Sequence, residues 1–324
     1  MEIQIQERLR EVEKGQLLRN LLPSVMLIVL VLVISSVQSS FLSPISLRTL
    51  LESAAPIALI ALGQTLVILT GGIDLSLAVL TSLGTVILAL TLNAFGGVGI
   101  LVTIALITGM GVLNGFVTAF AQIPSFVVTL GSMGLWSGIA LVISGASTVS
   151  IGANYDAIAW LTETKIGGLS LSVYMALVAA VIIALAIRVH KRGNALHAIG
   201  RAETAALMSG LKTRRVRILA FGGAAFFSSI AAMVLASSQY SGNPTLADSL
   251  LLPAIAAVIV GGTAITGGVG GPFGTVIGAL IIVVLRVGMT SLGVDPAYEQ
   301  VVYGAVIVIA VAITLDRKRL GVIK

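Results

Sequence analysis

The sequence predicts an all-α polytopic membrane protein of about ten transmembrane helices, with some segments broken or re-entrant where glycine is dense. Three observations carry this. The 324 residues are 57% hydrophobic and only 10% charged, far below the roughly 25% charge of soluble domains. Of the 32 charged residues, 22 fall within 1–20, 188–217 and 316–324, leaving ten for the other 265 positions. Apolar runs of about 20 residues, the length that crosses a hydrocarbon core roughly 30 Å thick, recur along the whole chain. A water-soluble enzyme is excluded.

The runs lie near 21–37, 54–70, 75–94, 98–121, 125–145, 169–189, 217–237, 251–266, 271–290 and 298–315, each bounded by Gly, Pro, Asn or charge. The first follows a twenty-residue segment in which four acids balance four bases, and no A-x-A-like cleavage site comes after it. It reads as a retained helix and not as a signal peptide. The chain therefore divides into an N-terminal segment 1–20, a membrane domain 21–315 interrupted by a basic loop at 190–216, and a tail at 316–324.

The three charged stretches hold 16 of the 19 Lys and Arg residues, and basic residues flanking spans mark the cytoplasmic side. Six spans separate the first stretch from the second, and four separate the second from the third. Both counts are even, as a common side requires. The connections left for the outside, 38–53, 146–168, 238–250 and 290–297, carry Glu52, Asp156, Glu163, Asp248 and Asp295 against Arg48 and Lys165. The expectation is a multi-pass membrane protein with both termini cytoplasmic.

Two regions resist a continuous helix. Gly261, Gly262, Gly267, Gly268, Gly270, Gly271, Pro272 and Gly274 crowd around the eighth and ninth spans, where each Gly costs about 1 kcal/mol and Pro about 3 relative to Ala. Thr70-Gly71-Gly72-Ile73-Asp74-Leu75-Ser76 closes the second span in the same way. Backbone of this kind is tolerated at membrane depth only where protein or a water-filled cavity surrounds it. Gly111/Gly115, Gly134/Gly138, Gly270/Gly274 and Gly274/Gly278 are small-xxx-small pairs suited to close helix packing.

Candidate chemistry is sparse. There is no cysteine and no GxxxxGK[ST] phosphate loop, so disulfides, thiolate metal sites and unaided ATP hydrolysis are not expected. His190 and His197 lie seven apart without a carboxylate cluster and read as solvated loop residues; no catalytic or metal-binding residues are assigned. The basic residues sit at span ends and not on a face interleaved with aromatics, which argues against nucleic acid. Ionisable groups within the bilayer are functional candidates by default. Asp74 either caps the helix after the first break or serves transport directly, and Arg286 reads as a snorkelling side chain. Gln64, Asn93, Asn114 and Gln122 line a polar path or bond between helices. With Asp74 the one evident intramembrane carboxylate, an ion-driven carrier is poorly supplied, and energy is expected from another subunit.

The stretch Gly193–Leu211 combines a helix start favoured by Glu203, the helix formers Ala205–Met208 and a terminator at Gly210. Leu207 and Met208 are available to a partner's groove. This segment resembles the cytoplasmic coupling segment of ATP-binding-cassette importer permeases for simple sugars of the ribose, xylose and galactoside group, with the pattern A-x-G-x-N-x-x-A-A-x-x-S-G-I. Ala198, Gly200, Ala205, Ala206, Ser209 and Gly210 match; Arg201-Ala202 stand where the pattern often has Gly-Asn, and Leu211 replaces Ile. Leu69–Ser76, Asn114-Gly115 with Ile123–Gly131, and Gly261–Thr263 with Gly278-Ala279 match in the same order, spanning 40–315.

The resemblance implies a permease that pairs with a second permease subunit, as homo- or heterodimer, with two ATP-binding subunits and with a periplasmic sugar-binding protein. ATP and Mg would sit on the ATPase partners and no cofactor on this chain. Coupling to the ATPase is expected at Gly200, Glu203, Ala205, Ala206, Met208, Ser209 and Gly210. The translocation path is expected at Gln64, Asp74, Ser76, Asn114 and Thr263, since a hydroxyl-rich solute needs donors and acceptors. The alternatives are a branched-chain amino acid or nucleoside permease of the same superfamily, or an ion-coupled secondary carrier.

Overall fold

The computed structural model describes residues 21–314 except Ala153 and His190. The expected placement of 1–20 and 316–324 lies outside the described residues. Within them, thirteen α-helices follow in order: α1 (Leu21–Val37), α2 (Pro44–Leu69), α3 (Leu77–Phe95), α4 (Val98–Ala121), α5 (Ser125–Ser144), α6 (Asp156–Glu163), α7 (Leu171–Val189), α8 (Lys191–Arg201), α9 (Glu203–Met208), α10 (Thr213–Gln239), α11 (Leu251–Val260), α12 (Pro272–Ser291) and α13 (Glu299–Thr314). Seven are long and apolar enough to cross a membrane: α2, α3, α4, α5, α7, α10 and α12. Three shorter apolar helices, Leu21–Val37, Asp248–Val260 and Pro296–Ala312, accompany them. The molecule is a polytopic helical membrane protein.

Two spans depart furthest from the sequence expectation. The second helix begins at Pro44, about ten residues before the expected span, because Ser43 accepts the Ser46 amide at its N-cap and Pro44 occupies the first turn, a starting arrangement proline favours. The eighth span, expected over 251–266, is helical only to Val260. The glycines that follow take backbone angles no helix accommodates, with φ +91° at Gly262, +86° at Gly267 and +75° at Gly268. With the 3-10 turn Asp248–Leu250 before it, α11 covers about 20 Å at roughly 1.5 Å per residue, and residues 261–271 form a loop.

The core is built by α2, α3, α10 and α11, whose side chains are buried on nearly every face. Helix α10 packs closely on α4 because Gly111 and Gly115 admit it: a methyl group at Gly111 would overlap Ala225 and the Phe221 carbonyl, and one at Gly115 would overlap Ile218. Helix α12 approaches α11 in the same way, with Gly274 against the Gly261 carbonyl and Gly278 against that of Ala257. A methyl group added at Gly134 or Gly138 on α5 would meet nothing within 4 Å, so among the described residues this pair does not serve close packing. The outer faces of α4, α5, α7 and α13 expose residues such as Leu101, Val142, Val178 and Val308. Contiguous apolar surface on this scale suits lipid or a membrane partner, not water.

The ends of the bundle differ. At one, the connections 146–168 and 238–250 clasp through a two-residue antiparallel ladder, Val149 opposite Gly242 and Ser150 opposite Ser241. A second ladder pairs Lys165–Ile166 with Leu169–Ser170, and Glu52 accepts the Ser170 amide at 3.0 Å. At the other end lie both glycine-rich breaks, the α4–α5 turn and α8–α9.

Candidate functional site

The first break, between α2 and α3, leaves helix geometry and so must find side-chain partners for its buried amides. Ser125 Oγ accepts from the Ile73 amide at 2.9 Å and Thr129 Oγ1 from the Leu75 amide at 3.0 Å. Gln64 on α2, its amide oriented to satisfy both contacts, faces the Asp74 peptide, donating to its carbonyl at 3.0 Å and accepting from its N–H at 3.2 Å. Asp74 Oδ1 accepts from the Ser76 amide at 2.8 Å and from Ser76 Oγ at 2.6 Å, a tight Asx-type turn ahead of α3. Asn114 on α4 donates to Ser76 Oγ at 2.9 Å. Gln64, Asp74, Ser76 and Asn114 thus form one buried polar chain that runs from α2 through the break to α4. The second Asp74 carboxylate oxygen has no hydrogen-bond partner among the described residues.

Thr263 stands apart. It belongs to the second break, its hydroxyl is buried without a partner among the described residues, and no hydrogen bond joins it to the chain around Asp74. All five expected path residues are closed off from solvent, with exposures of 3% or less, and none lines the three main cavities. Ser125 and Thr129, which hold the first break, were not among the expected site residues. Their signal was their i, i+4 spacing at the start of an apolar run, which places both hydroxyls on one helix face.

The basic loop folds into two helices, α8 and α9, where one short helical centre was expected. Gly200 ends α8 wedged against the Leu69 carbonyl and the Gly267–Gly268 peptide, with no room for a side chain. Ala206 turns inward, whereas Leu207 and Met208 are 60% and 85% exposed. Glu203 opens α9 and also pairs with Arg217 on α10 at 2.9 Å. The Ser209 hydroxyl donates to the Ala205 carbonyl at 2.9 Å. Gly210 adopts φ +79° in open space. Of the seven expected coupling residues, Glu203, Ala205, Met208, Ser209 and Gly210 are exposed, while Gly200 and Ala206 pack against the chain itself. His197 is not the solvated loop residue expected: its ring is half-buried and contacts the Gly268 carbonyl. His190 lies outside the described residues.

A cavity of about 1040 Å³ opens between these parts, lined by Gly71, Ile73, Pro124, Leu207, Gly210 and Arg215 among others. Its rim is basic, and the Arg214 guanidinium sits 5.1 Å from the Phe120 ring centre, within cation–π range. A smaller cavity of about 420 Å³ at the opposite end is lined by Glu52, Ser53, Ser172, Gln239 and Arg286. Arg286 is half-buried and lines this cavity. Asn93 reaches the 146–168 connection, donating to the Ser150 carbonyl and accepting the Gly152 amide, both at 2.9 Å. Among the described residues no cluster of His, Asp or Glu is arranged to hold a metal ion.

The fold is a multi-span membrane bundle with two glycine-rich breaks, and its family makes it a permease component. Residues 46–311 match the family described as the permease component of branched-chain amino acid transport systems. The chain is 34% identical over 323 residues to the ribose import permease of Bacillus subtilis, covering 98% of each chain. It is 32% identical to the ribose import permease of Escherichia coli K12, covering 90% of this chain and 92% of that one. It is also 34% identical to the Escherichia coli galactofuranose transporter permease, covering 88% and 82%. No solved structure gives a significant match. The chain belongs to this permease family: it is the membrane subunit of an ATP-binding-cassette importer, and ATP hydrolysis lies on partner subunits.

Proposed function

We propose that this chain forms the translocation path for a monosaccharide, delivered by a periplasmic binding protein and driven by two ATPase subunits that dock on residues 202–211. A second permease subunit completes the path, ATP and Mg reside on the ATPases, and the ten apolar segments, the eighth being α11 completed by the 261–271 loop, cross the bacterial inner membrane with both termini in the cytoplasm. The observation that carries the reading is the near end-to-end similarity to ribose import permeases. The exposed Leu207 and Met208 on α9 support docking.

The test is uptake in proteoliposomes holding the permease, its ATPase and its binding protein. Labelled ribose is expected to accumulate only with ATP, and excess ribose, not leucine or adenosine, is expected to compete. ATP-driven accumulation of leucine or adenosine without a sugar would overturn the substrate class. Uptake independent of the ATPase would overturn the energy source.

A further inference from the structure

Three separate stretches of chain meet at one point on the inner end of the bundle. Gly268 in the second break donates its amide to the Leu69 carbonyl, at the end of α2, at 3.0 Å. The Gly268 carbonyl in turn faces Arg201 Nε at 3.0 Å and His197 Nδ1 at 3.2 Å. A carbonyl only accepts, and it has two lone pairs; both groups can therefore be served when the His197 ring carries its proton on Nδ1. His197 and Arg201 are four residues apart on α8 and so share a face. Gly200 between them is wedged against Leu69, Gly267 and Gly268, and Gly267 lies against Gly71. The junction thus ties α8 to both glycine-rich breaks.

The chemistry of the junction is directional. Gly267 and Gly268 have no side chains, so the only handles on this part of the loop are its peptide groups, and α8 holds them by two side chains and one close backbone contact. From the junction, Leu69 leads within five residues to Asp74 and the polar chain through Ser76 and Asn114. In the other direction, Arg201 lies two residues before Glu203, the start of α9. Arg201 is also the position at which the segment departs from the pattern it resembles, where Gly is frequent and no such handle exists.

We propose that Arg201 and His197 are the positioning residues that convert a displacement of the α8–α9 segment into movement of the 261–271 loop and, through Leu69, of the Asp74 break. This rests on the reading of α9 as the ATPase dock. The carbonyl grip, not the charge of Arg201, is what the role requires.

The test uses the complete transporter in proteoliposomes. Thr266, exposed in the same loop, is replaced by Cys in this cysteine-free chain, and its rate of reaction with a thiol reagent is measured with and without ATP plus vanadate. In the parent, the rate is expected to change when the ATPases close. In R201A/H197A the ATPase co-purifies normally, but that change is lost and sugar moved per ATP hydrolysed falls roughly tenfold, within the range of ordinary intersite couplings. R201Q, which keeps an N–H donor and removes the charge, restores most of both. The single variants R201A and H197A, each keeping one grip, give intermediate losses and keep the test intact if the double variant assembles poorly. An unchanged thiol response at position 266 and unchanged transport per ATP in R201A and H197A would overturn the proposal. If instead G210W and E203R also leave ATPase association and uptake unaltered, the docking reading itself has failed.

Discussion

At the scale of single residues, Asp74 shows what a short side chain achieves in a buried break. One carboxylate oxygen serves both the amide and the hydroxyl of Ser76, while the other serves no one among the described residues. Asp74→Asn keeps the accepting oxygen and is expected to insert, fold and transport at near-parent levels. Asp74→Leu strands two buried donors, each at a cost of roughly 1–3 kcal/mol, and is expected to lower thermal stability in detergent and abolish uptake. Loss of uptake by a stably folded Asp74→Asn would show instead that the negative charge is required. The sequence pointed to Asp74, Ser76, Asn114 and Gln64 as polar outliers in apolar surroundings. It could not show them bonded to one another, because a contact such as that between Ser76 and Asn114 links positions 38 residues apart, beyond what a local pattern encodes.

Elements were the most legible level. Glycine and proline mark where helices must stop, so the ends of α3, α4, α5, α7 and α12 fall within about two residues of the expected boundaries. The early start of α2 had a readable sign in Ser43-Pro44, but the apolar run dominates a hydropathy reading and the run begins later. The ladders joining the outer loops were not legible, since two residues carry no period. The glycine pairs were legible as packing sites but not as to which partner they meet. Gly111→Leu is expected to destabilise the fold by about 1–3 kcal/mol or more through overpacking against α10, read as a lowered melting temperature. Gly134→Leu, with open space around it, is expected to leave the melting temperature of the isolated chain unchanged. For α9, Glu203→Arg sets two positive charges against each other at Arg217, and Gly210→Trp forces a bulky residue into φ +79°. Both are expected to reach the membrane normally while losing ATPase co-purification or uptake, and the exchange E203R/R217E is expected to recover more ATPase binding than E203R alone. Full uptake by both single variants would make α9 an ordinary surface helix.

Across the whole molecule, the alternation expected from charge and parity agrees with the gathering of 146–168 and 238–250 at one end and of the two breaks with α8–α9 at the other. Which end faces the cytoplasm is a matter of labelling. Lys165→Cys and Asn194→Cys, both at exposed positions, are expected to react with an impermeant thiol reagent from the periplasm and only after permeabilisation, respectively. Reaction of the Asn194→Cys variant from outside would invert the topology.

The shortness of α11 has a consequence for how the protein is made. A translocon releases a segment into lipid when its apolar length suffices, and about 20 Å of helix followed by the non-helical 261–271 loop does not. The nascent 248–271 stretch must wait until α12 emerges to cover it, so the two enter as a hairpin against α2, which is already in place. A chain truncated after Val260 is then expected to leave this stretch extractable by alkali, and one truncated after Ser291 to hold it firmly in the bilayer.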